Sequence, residues 1–355
     1  MSAIQTTARL ADLFSSRNIA AYYDTMQQDV RPYPGEAIFP AARTSDLTLS
    51  FIKGKADSPV LLRPSAFDAH APIRPRANFQ KVSNEMPFFR ESTKIGEKER
   101  REVIMAISAG DQYVNSVINR LYDDQYQLVL GADAAAEFMR MTLLSTGAIE
   151  VLLDQVPMQY SYGFDPSKQE MTLTGTAMWT NPATATPLAD LTKAMKDARL
   201  TGARAIMTQS TYQNMLAADS VRNAMFPQNP PSWVSPAQIS QFVSNALNIS
   251  FVVLDDLVNS YSLRVGGEAQ TMFPDGVVSL IPAAGSMGNT WYSDTPESID
   301  LMADSSLDAT IVGNGVAVLT IVEPHPVNIN TIVSQIVLPS CEQIARLYIM
   351  NVYTV

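Results

Sequence analysis

Residues 37–101 are basic and punctuated by proline in a chain that is otherwise acidic, and this segment limits what the chain can fold into. From Arg43 to Arg101 there are twelve Lys and Arg against seven Asp and Glu, whereas residues 102–355 carry ten basic and twenty-four acidic side chains. Eight prolines (Pro32, Pro34, Pro40, Pro59, Pro64, Pro72, Pro75 and Pro87) mark the approach and the segment itself. Proline removes a backbone donor and biases its neighbours toward extended conformations, so no long helix forms here. The segment is nevertheless not a plain linker, because Leu47-Thr48-Leu49-Ser50-Phe51-Ile52 and Val60-Leu61-Leu62 read as short strands. With a turn at Lys53-Gly54-Lys55 the flanking strands make a long hairpin. An extended, charged, partly apolar arm cannot close a core alone. Its charge points to a partner that is another copy of the same acidic chain.

A chain of 355 residues is long enough for two or three domains, or for one domain with large excursions. With 46% hydrophobic residues and a net charge of only −10 over 355 residues, the chain folds. A single cysteine, Cys341, excludes a disulfide framework and a Cys-rich zinc site, and fits a reducing compartment. The start, Met1-Ser2-Ala3-Ile4-Gln5, has neither the basic nor the apolar region of a signal peptide. No run of apolar residues is long enough to span a membrane. A pI near 4.7 argues against tight wrapping of nucleic acid over a large basic face.

Along the chain, a helix is expected over roughly 8–29, stopped by Arg31-Pro32-Tyr33-Pro34-Gly35. Residues 97–121 switch to helical period, with Val103, Ile107, Val114, Val117, Ile118 and Leu121 on one stripe and Glu99, Arg100, Arg101, Asp111 and Arg120 outside it. A second helix is expected over 132–146 (Ala134, Phe138, Met141, Leu144), ended by Gly147. Alternation over 158–164 predicts a strand that Asp165-Pro166 turns back into 171–179. Thr186-Pro187 and Ser235-Pro236 each start a helix, by proline at its first position. Strands are expected at 205–208, 249–254 and 277–281, the last after the turn Phe273-Pro274-Asp275-Gly276. The final fifty residues, roughly, read as strand: 311–322 around Gly313-Asn314-Gly315, 327–338, and 345–353 after Pro339-Ser340-Cys341-Glu342.

Signals for chemistry are sparse. His70 and His325 lack the spacing of a paired metal site. No nucleophile elbow, phosphate-cradling loop or dinucleotide fingerprint occurs. Gly266-Gly267 and Gly313-Asn314-Gly315 read as hairpin turns. Asp255-Asp256, closing the apolar strand 249–254, matches carboxylates that hold Mg²⁺ at strand ends in α/β enzymes, but companion ligands at recognisable spacing are lacking and a solvated strand-end cap is the better reading. Cys341 as a nucleophile would need His70 or His325 beside it. Arg100 and Arg101 sit at a helix start, where the dipole disfavours cations, which favours an ion pair with another subunit. Arg63, Arg74 and Arg76 share the arm with Asp57 and Asp68 and fit an acidic protein neighbour better than nucleic acid. No catalytic residue, cofactor or metal is expected.

The order of elements then carries a resemblance: an N-terminal segment, a hairpin arm, a long amphipathic helix, a β-hairpin, a mixed α/β region and closing strands. It resembles a bacteriophage major capsid protein, and more narrowly the capsid protein E family to which the phage lambda coat protein belongs. The residues that carry it are Ala37-Ile38-Phe39-Pro40 leading into the arm, Ser65-Ala66-Phe67-Asp68 within it, and Met86-Pro87-Phe88-Phe89-Arg90-Glu91 leaving it. Arg100-Arg101-Glu102 opens the helix, and Phe273-Pro274-Asp275-Gly276-Val277-Val278 and the ending 332–352 are also similar. Each motif is short and none is catalytic; together they cover most of the chain.

The resemblance implies an α+β fold of the HK97 type, with residues 1–36 as N-arm and 37–95 as the extended loop over a neighbouring subunit. It places the peripheral domain, with spine helix and hairpin, at 96–182, the axial domain at 183–308 and the return strands at 309–355. It implies a structural protein of the virion that self-assembles into pentamers and hexamers of an icosahedral shell around double-stranded DNA, built in the bacterial cytoplasm. The implied partners are further copies of itself, a portal protein, a decoration protein, a separate scaffolding protein (only thirty-odd residues precede the loop) and packaged DNA held weakly. No membrane partner is implied. The intersubunit residues expected are the basic Arg43, Lys53, Lys55, Arg63, Arg74, Arg76, Arg100 and Arg101, and the apolar Leu49, Phe51, Val60 and Leu62. The alternatives are an encapsulin-like compartment enclosing enzymes, and a metal-dependent enzyme using Asp255 and Asp256.

Overall fold

A computed structural model describes residues 14–27, 32–52, 81–109, 114–153, 156–228, 234–262, 267–301 and 308–354. Helix α1 (Ser16–Gln27) and the short α2 (Pro34–Ile38) precede strand β1 (Ala41–Thr44). Strands β2 (Thr48–Ile52) and β3 (Lys81–Glu85) pair with each other, and β4 (Phe88–Ile95) leads into α3 (Glu97–Ala109). Helix α4 (Val114–Thr146) is followed by the antiparallel pair β5 (Ala148–Leu153) and β6 (Val156–Ser161). Next come a single turn, α5 (Pro166–Gln169), then β7 (Glu170–Thr172), α6 (Pro187–Asp197) and β8 (Ala203–Thr208). Helices α7 (Gln209–Ala217), α8 (Asp219–Met225) and α9 (Pro236–Leu247) lead to β9 (Ile249–Leu254). Strands β10 (Ser260–Tyr261), β11 (Gln270–Thr271), β12 (Val277–Pro282) and β13 (Thr290–Ser293) follow. The chain closes with β14 (Asp308–Val312), β15 (Val316–Pro324), β16 (Val327–Pro339) and β17 (Tyr348–Asn351).

The chain divides into two compact units. One is drawn from Met1–Leu49, Glu85–Arg140 and Asn289–Ser340. Its sheet runs β1-β13-β16-β15-β14, with β4 also paired to β16. One apolar cluster joins Ile19 and Tyr23 of α1 and Val129 and Ala132 of α4 to Val312, Val316, Val318 and Val333 of the sheet. A second joins Phe14, Ile95, Val103, Leu121 and Ile329. Helix α1 is tied down further by Ser16, whose N–H and hydroxyl both donate to the Asp308 carboxylate at 2.7 Å.

The other unit is drawn from Ser50–Asn84, Met141–Gly288 and Cys341–Val355. Its five-stranded sheet, β7-β17-β12-β8-β9, is mixed: β8–β9 and β7–β17 are parallel, β12 antiparallel to both neighbours. The core packs Trp179, Leu191, Met215, Val221, Ile239 and Val243 against Ala205, Leu280 and Met350 of the sheet. Trp179 is fully buried, and its indole N–H donates to Asp190 at 3.0 Å. Buried tryptophan is tolerated because that polar tip finds a partner.

Several expectations are met and several corrected. The strand expected at 249–254 is β9, and those at 205–208 and 277–281 lie within β8 and β12. Both proline-started helices form, as α6 and α9. The Gly313-Asn314-Gly315 turn joins β14 to β15. Gly147 does end its helix, at φ +76 with its N–H on Leu143 O, and a Cβ there would overlap the Phe164 ring. The two helices expected over 97–121 and 132–146 divide elsewhere, into α3 and the 33-residue α4. Residues 122–131 contain no proline, and one exposed Gly131 costs only about 1 kcal/mol in a helix of that length.

The hairpin expected between 158–164 and 171–179 does not form. Strand β6 pairs instead with β5, while β7 pairs in parallel with β17. Asp165 accepts the Ser167 N–H at 3.2 Å and caps a helical turn there, so the chain is not reversed into a hairpin. Of the helix expected over 8–29, α1 is described. The Lys53-Gly54-Lys55 turn, the strand at 60–62 and Gly266 lie outside the described residues.

Candidate functional site

The two ends of the arm are fastened into the same sheet. On the inbound side, Pro34 starts α2, and β1 then pairs in parallel with β13, Ala41 opposite Thr290 through Thr44 opposite Ser293. Under this junction lies a buried ion pair from α4: Arg140 Nη1 donates to Glu137 Oε2 at 2.9 Å, with both side chains almost fully buried. The remaining polar atoms are satisfied in turn. Arg140 Nε donates to Thr290 Oγ1 at 2.9 Å and Nη2 to Tyr292 Oη at 3.0 Å. Thr290 Oγ1 donates on to Phe39 O at 2.9 Å, and the Gly35 N–H donates to Glu137 Oε1 at 2.9 Å. A Cβ at Gly35 would overlap the Glu137 carboxylate and sit 2.8 Å from Arg140 Cδ, so the close approach requires glycine.

Burial pushes the Glu137 carboxyl up, opposed by the charge and hydrogen bond of Arg140 and by the Gly35 N–H. Asp133, one turn earlier on α4, is likewise raised by burial and held down by the hydrogen bond from Tyr23. A buried pair of this kind adds little net stability over apolar packing, but removing one partner strands the other charge and costs about 3–5 kcal/mol. The pair therefore ties α4 to α2 through Gly35 and to β13 through Thr290 and Tyr292.

On the outbound side, β4 runs antiparallel to β16 from Phe88 opposite Ile336 to Ile95 opposite Ile329. Arg90 pairs with the buried Glu297, whose other oxygen accepts the Ser334 hydroxyl at 2.9 Å. The Arg90 guanidinium also lies 4.6 Å from the Phe88 ring centroid. The first pairs of the arm itself, β2 with β3, are closed at the base by Met86 N–H on Leu47 O at 2.9 Å.

The expected intersubunit residues fall as follows. Arg43 is exposed on β1, and Leu49 on β2 is buried, beside a Leu47 that is 54% exposed. Phe51 is in β2, with its side chain not described. Lys53, Lys55, Val60, Leu62, Arg63, Arg74 and Arg76 lie outside the described residues, as does His70. Arg101 is exposed, but Arg100, expected outside the α3 stripe, is 5% exposed. It stands one helical turn before the buried Val103 and so shares that face. At the arm's roots, Gly35 and Arg90 were read in the sequence only as part of a helix stop and of a resemblance motif, and Glu137, Arg140 and Glu297 were not singled out; a signal for Glu137 and Arg140 is nevertheless present. It is a charged i,i+3 pair amid Phe138, Met139, Met141 and Leu143.

Asp255 Oδ1 accepts the N–H groups of Leu257 and Val258, both at 3.1 Å, which is the geometry of a strand-end cap. Among the described residues no group of three or more His, Cys, Asp or Glu is placed to hold a metal ion. Cys341 is buried and His325 exposed at the β15–β16 turn. No described helix is long and apolar enough to cross a membrane.

One solved structure gives the fold, and two others are similar more loosely. A structure described as the capsid protein of a prophage of Escherichia coli CFT073 superposes with a TM-score of 0.61 at 11% identity, covering 96% of this chain and 99% of that one. The capsid asymmetric unit of cyanophage A-1(L) gives a TM-score of 0.49 at 9% identity, covering 89% and 91%. The capsid of Myoviridae phage XM1 gives 0.46 at 10% identity, covering 89% of each chain. The fold is the HK97-like α+β fold of phage capsid proteins. Residues 15–352 match the family described as Phage major capsid protein E, and the chain belongs to that family. No curated protein matches the sequence.

Proposed function

We propose that the chain is the shell-forming subunit of a phage head and that its basic arm docks on the acidic surface of a neighbouring copy. The observation that carries this reading is the doubly fastened arm: β1 and β4 belong to one sheet, each secured by an ion pair with a buried member, Arg140–Glu137 and Arg90–Glu297. Such roots hold the base still while the apolar and basic residues beyond it find their contacts on another chain. An extended segment with unpaired backbone groups gains its stability from the oligomer. Its positive charge over an acidic neighbour steers encounter and sets register more than it adds affinity. Repeated heterologous contacts close into rings when the rotation fits, which suits pentamers and hexamers.

In this reading residues 1–36 form the N-arm, 37–95 the extended loop, 96–182 and 309–355 the peripheral domain and 183–308 the axial domain. The shell encloses double-stranded DNA, held weakly by an acidic chain, in a virion assembled in the host cytoplasm. A separate scaffolding protein, a portal protein and a decoration protein complete the assembly. The role is structural, with no catalysis. Reversing Lys53, Lys55 and Arg63 to Glu tests the docking: shell yield should fall most at low salt, where exposed charges act over the longest range. Unchanged yield at low salt would remove the electrostatic argument.

A further inference from the structure

The side-chain carbonyl carbon of an asparagine stands one ring closure away from the backbone nitrogen of the following residue. A side chain on that following residue crowds the approach, whereas glycine leaves it open and lets the backbone rotate. Asn314-Gly315 is the one Asn-Gly pair among the 355 residues. It lies in the turn between β14 and β15, bracketed by the register partners Val312 and Val316. Asn314 is exposed. The glycines on either side carry the turn, Gly313 at φ +54 and Gly315 at φ +123. The Gly315 N–H donates to Val312 O at 3.4 Å, beyond the usual range for such a bond, so the nitrogen is weakly held.

The turn matters to what surrounds it. Strand β14 ends the sheet and is paired with β15 alone. Val312 and Val316, one on each side of the turn, pack in the same apolar cluster as Ile19 and Tyr23 of α1. Farther along β14, Asp308 accepts the N–H and hydroxyl of Ser16, and the Thr310 hydroxyl lies 2.7 Å from that of Ser16. The register set at Gly313-Asn314-Gly315 therefore positions the groups that hold the start of α1.

We propose that Asn314 is a modification site, at which the chain deamidates itself through a cyclic imide. The Gly315 nitrogen gives up its proton to hydroxide and attacks Asn314 Cγ. The bond from Cγ to the side-chain nitrogen breaks, and that nitrogen leaves as ammonia. Water then opens the five-membered imide at one of its two carbonyls. Opening at Cγ leaves aspartate; opening at the main-chain carbonyl leaves isoaspartate, in which the backbone runs through Cβ and Cγ. Nothing is oxidised or reduced, and water is the one co-reactant. Isoaspartate inserts an extra backbone atom between Val312 and Val316, whose separation is fixed by their pairing and by the packed core, so the product loosens β14 and with it α1. The site makes the chain age at a defined place, independently of the shell-forming role.

The test incubates the purified full-length chain at mildly alkaline pH. Peptide mass mapping follows the conversion of amide to acid, and labelling by an isoaspartyl methyltransferase detects isoaspartate. Conversion at Asn314 is expected to outpace that at every other asparagine and to speed up with pH, and the methyl label at this peptide should be absent from Asn314→Gln. The aged chain should unfold at lower urea than the fresh one and exchange faster at the Ser16 amide, whose N–H is bonded to Asp308. Asn314→Asp, which carries the charge without the extra atom, should lose less than a chain rich in isoaspartate. An Asn314 that converts no faster than the other asparagines would overturn the site. A converted chain with the native urea midpoint and native exchange at Ser16 would overturn its effect on α1.

Discussion

Replacing Arg140 by Met is the sharpest perturbation of the arm's inbound root. The substitution keeps most of the aliphatic stem but removes three hydrogen bonds, to Glu137, Thr290 and Tyr292. It leaves the Glu137 carboxylate buried, with the Gly35 N–H as its remaining partner at this junction. Stranding one member of a buried pair costs about 3–5 kcal/mol, a large part of the 5–15 kcal/mol that holds a typical domain together. The cost depends on pH. Burial already raises the Glu137 carboxyl, and Arg140 is the largest influence holding it down, so the substitution raises it further. A group raised in the folded state contributes stability that is present below its unfolded value and lost as pH rises through the folded value. Arg140→Met should therefore be most destabilised at neutral pH and partly relieved by mild acid. Removing both charges, as Glu137→Leu/Arg140→Met, should recover much of the loss, because apolar replacement of a buried pair is often near neutral. Urea unfolding of the four chains of this cycle at neutral and mildly acidic pH measures each quantity. A loss below about 1 kcal/mol for Arg140→Met, or a double variant as unstable as the sum of the singles, would refute the reasoning.

Other outcomes follow from neighbouring contacts. Gly35→Ala should cost about 1–3 kcal/mol by overpacking against Glu137 and Arg140, read as a lower urea midpoint with unchanged slope. Gly276→Ala should be similarly costly, since φ is +78 and the new methyl would meet the Tyr353 backbone oxygen; freeing of the C-terminal residues is expected as faster amide exchange at Val352, whose N–H is bonded to Gly276 O. Asp133 is raised by burial, so its contribution to stability is present at acid pH and lost as pH rises through its folded value; Asp133→Asn should flatten that part of the stability profile. Tyr22 is pushed up to about 12, chiefly by its hydrogen bond to Asp123, and spectrophotometric titration should find it ionising at lower pH in Asp123→Asn than in the native chain.

What the sequence discloses, and what it hides, follows from sequence distance. Local signals read well: the apolar run at 249–254, the two proline-started helices and the Gly147 stop depend on neighbours a few residues away. The partner of β7 did not, because β17 lies at the far end of the chain and parallel pairing leaves no turn signature. The arm is visible as charge and proline, but its anchors are not. Glu137 and Arg140 are three residues apart on α4, but the groups that bury and satisfy them, Gly35, Phe39 and Thr290, come from distant parts of the sequence. Arg100 differs in another way: it was placed outside the apolar stripe as an expected intersubunit residue, and within this chain it is buried.

The central claim is that the arm makes the shell. Replacing residues 53–80 by a short turn joins β2 to β3 directly and leaves every described strand pair of both units in place. Electron micrographs of the purified native and shortened chains test the claim most directly. The account predicts closed particles from the native chain, and from the shortened one a folded, soluble subunit that forms none. Closed particles from the shortened chain would contradict it.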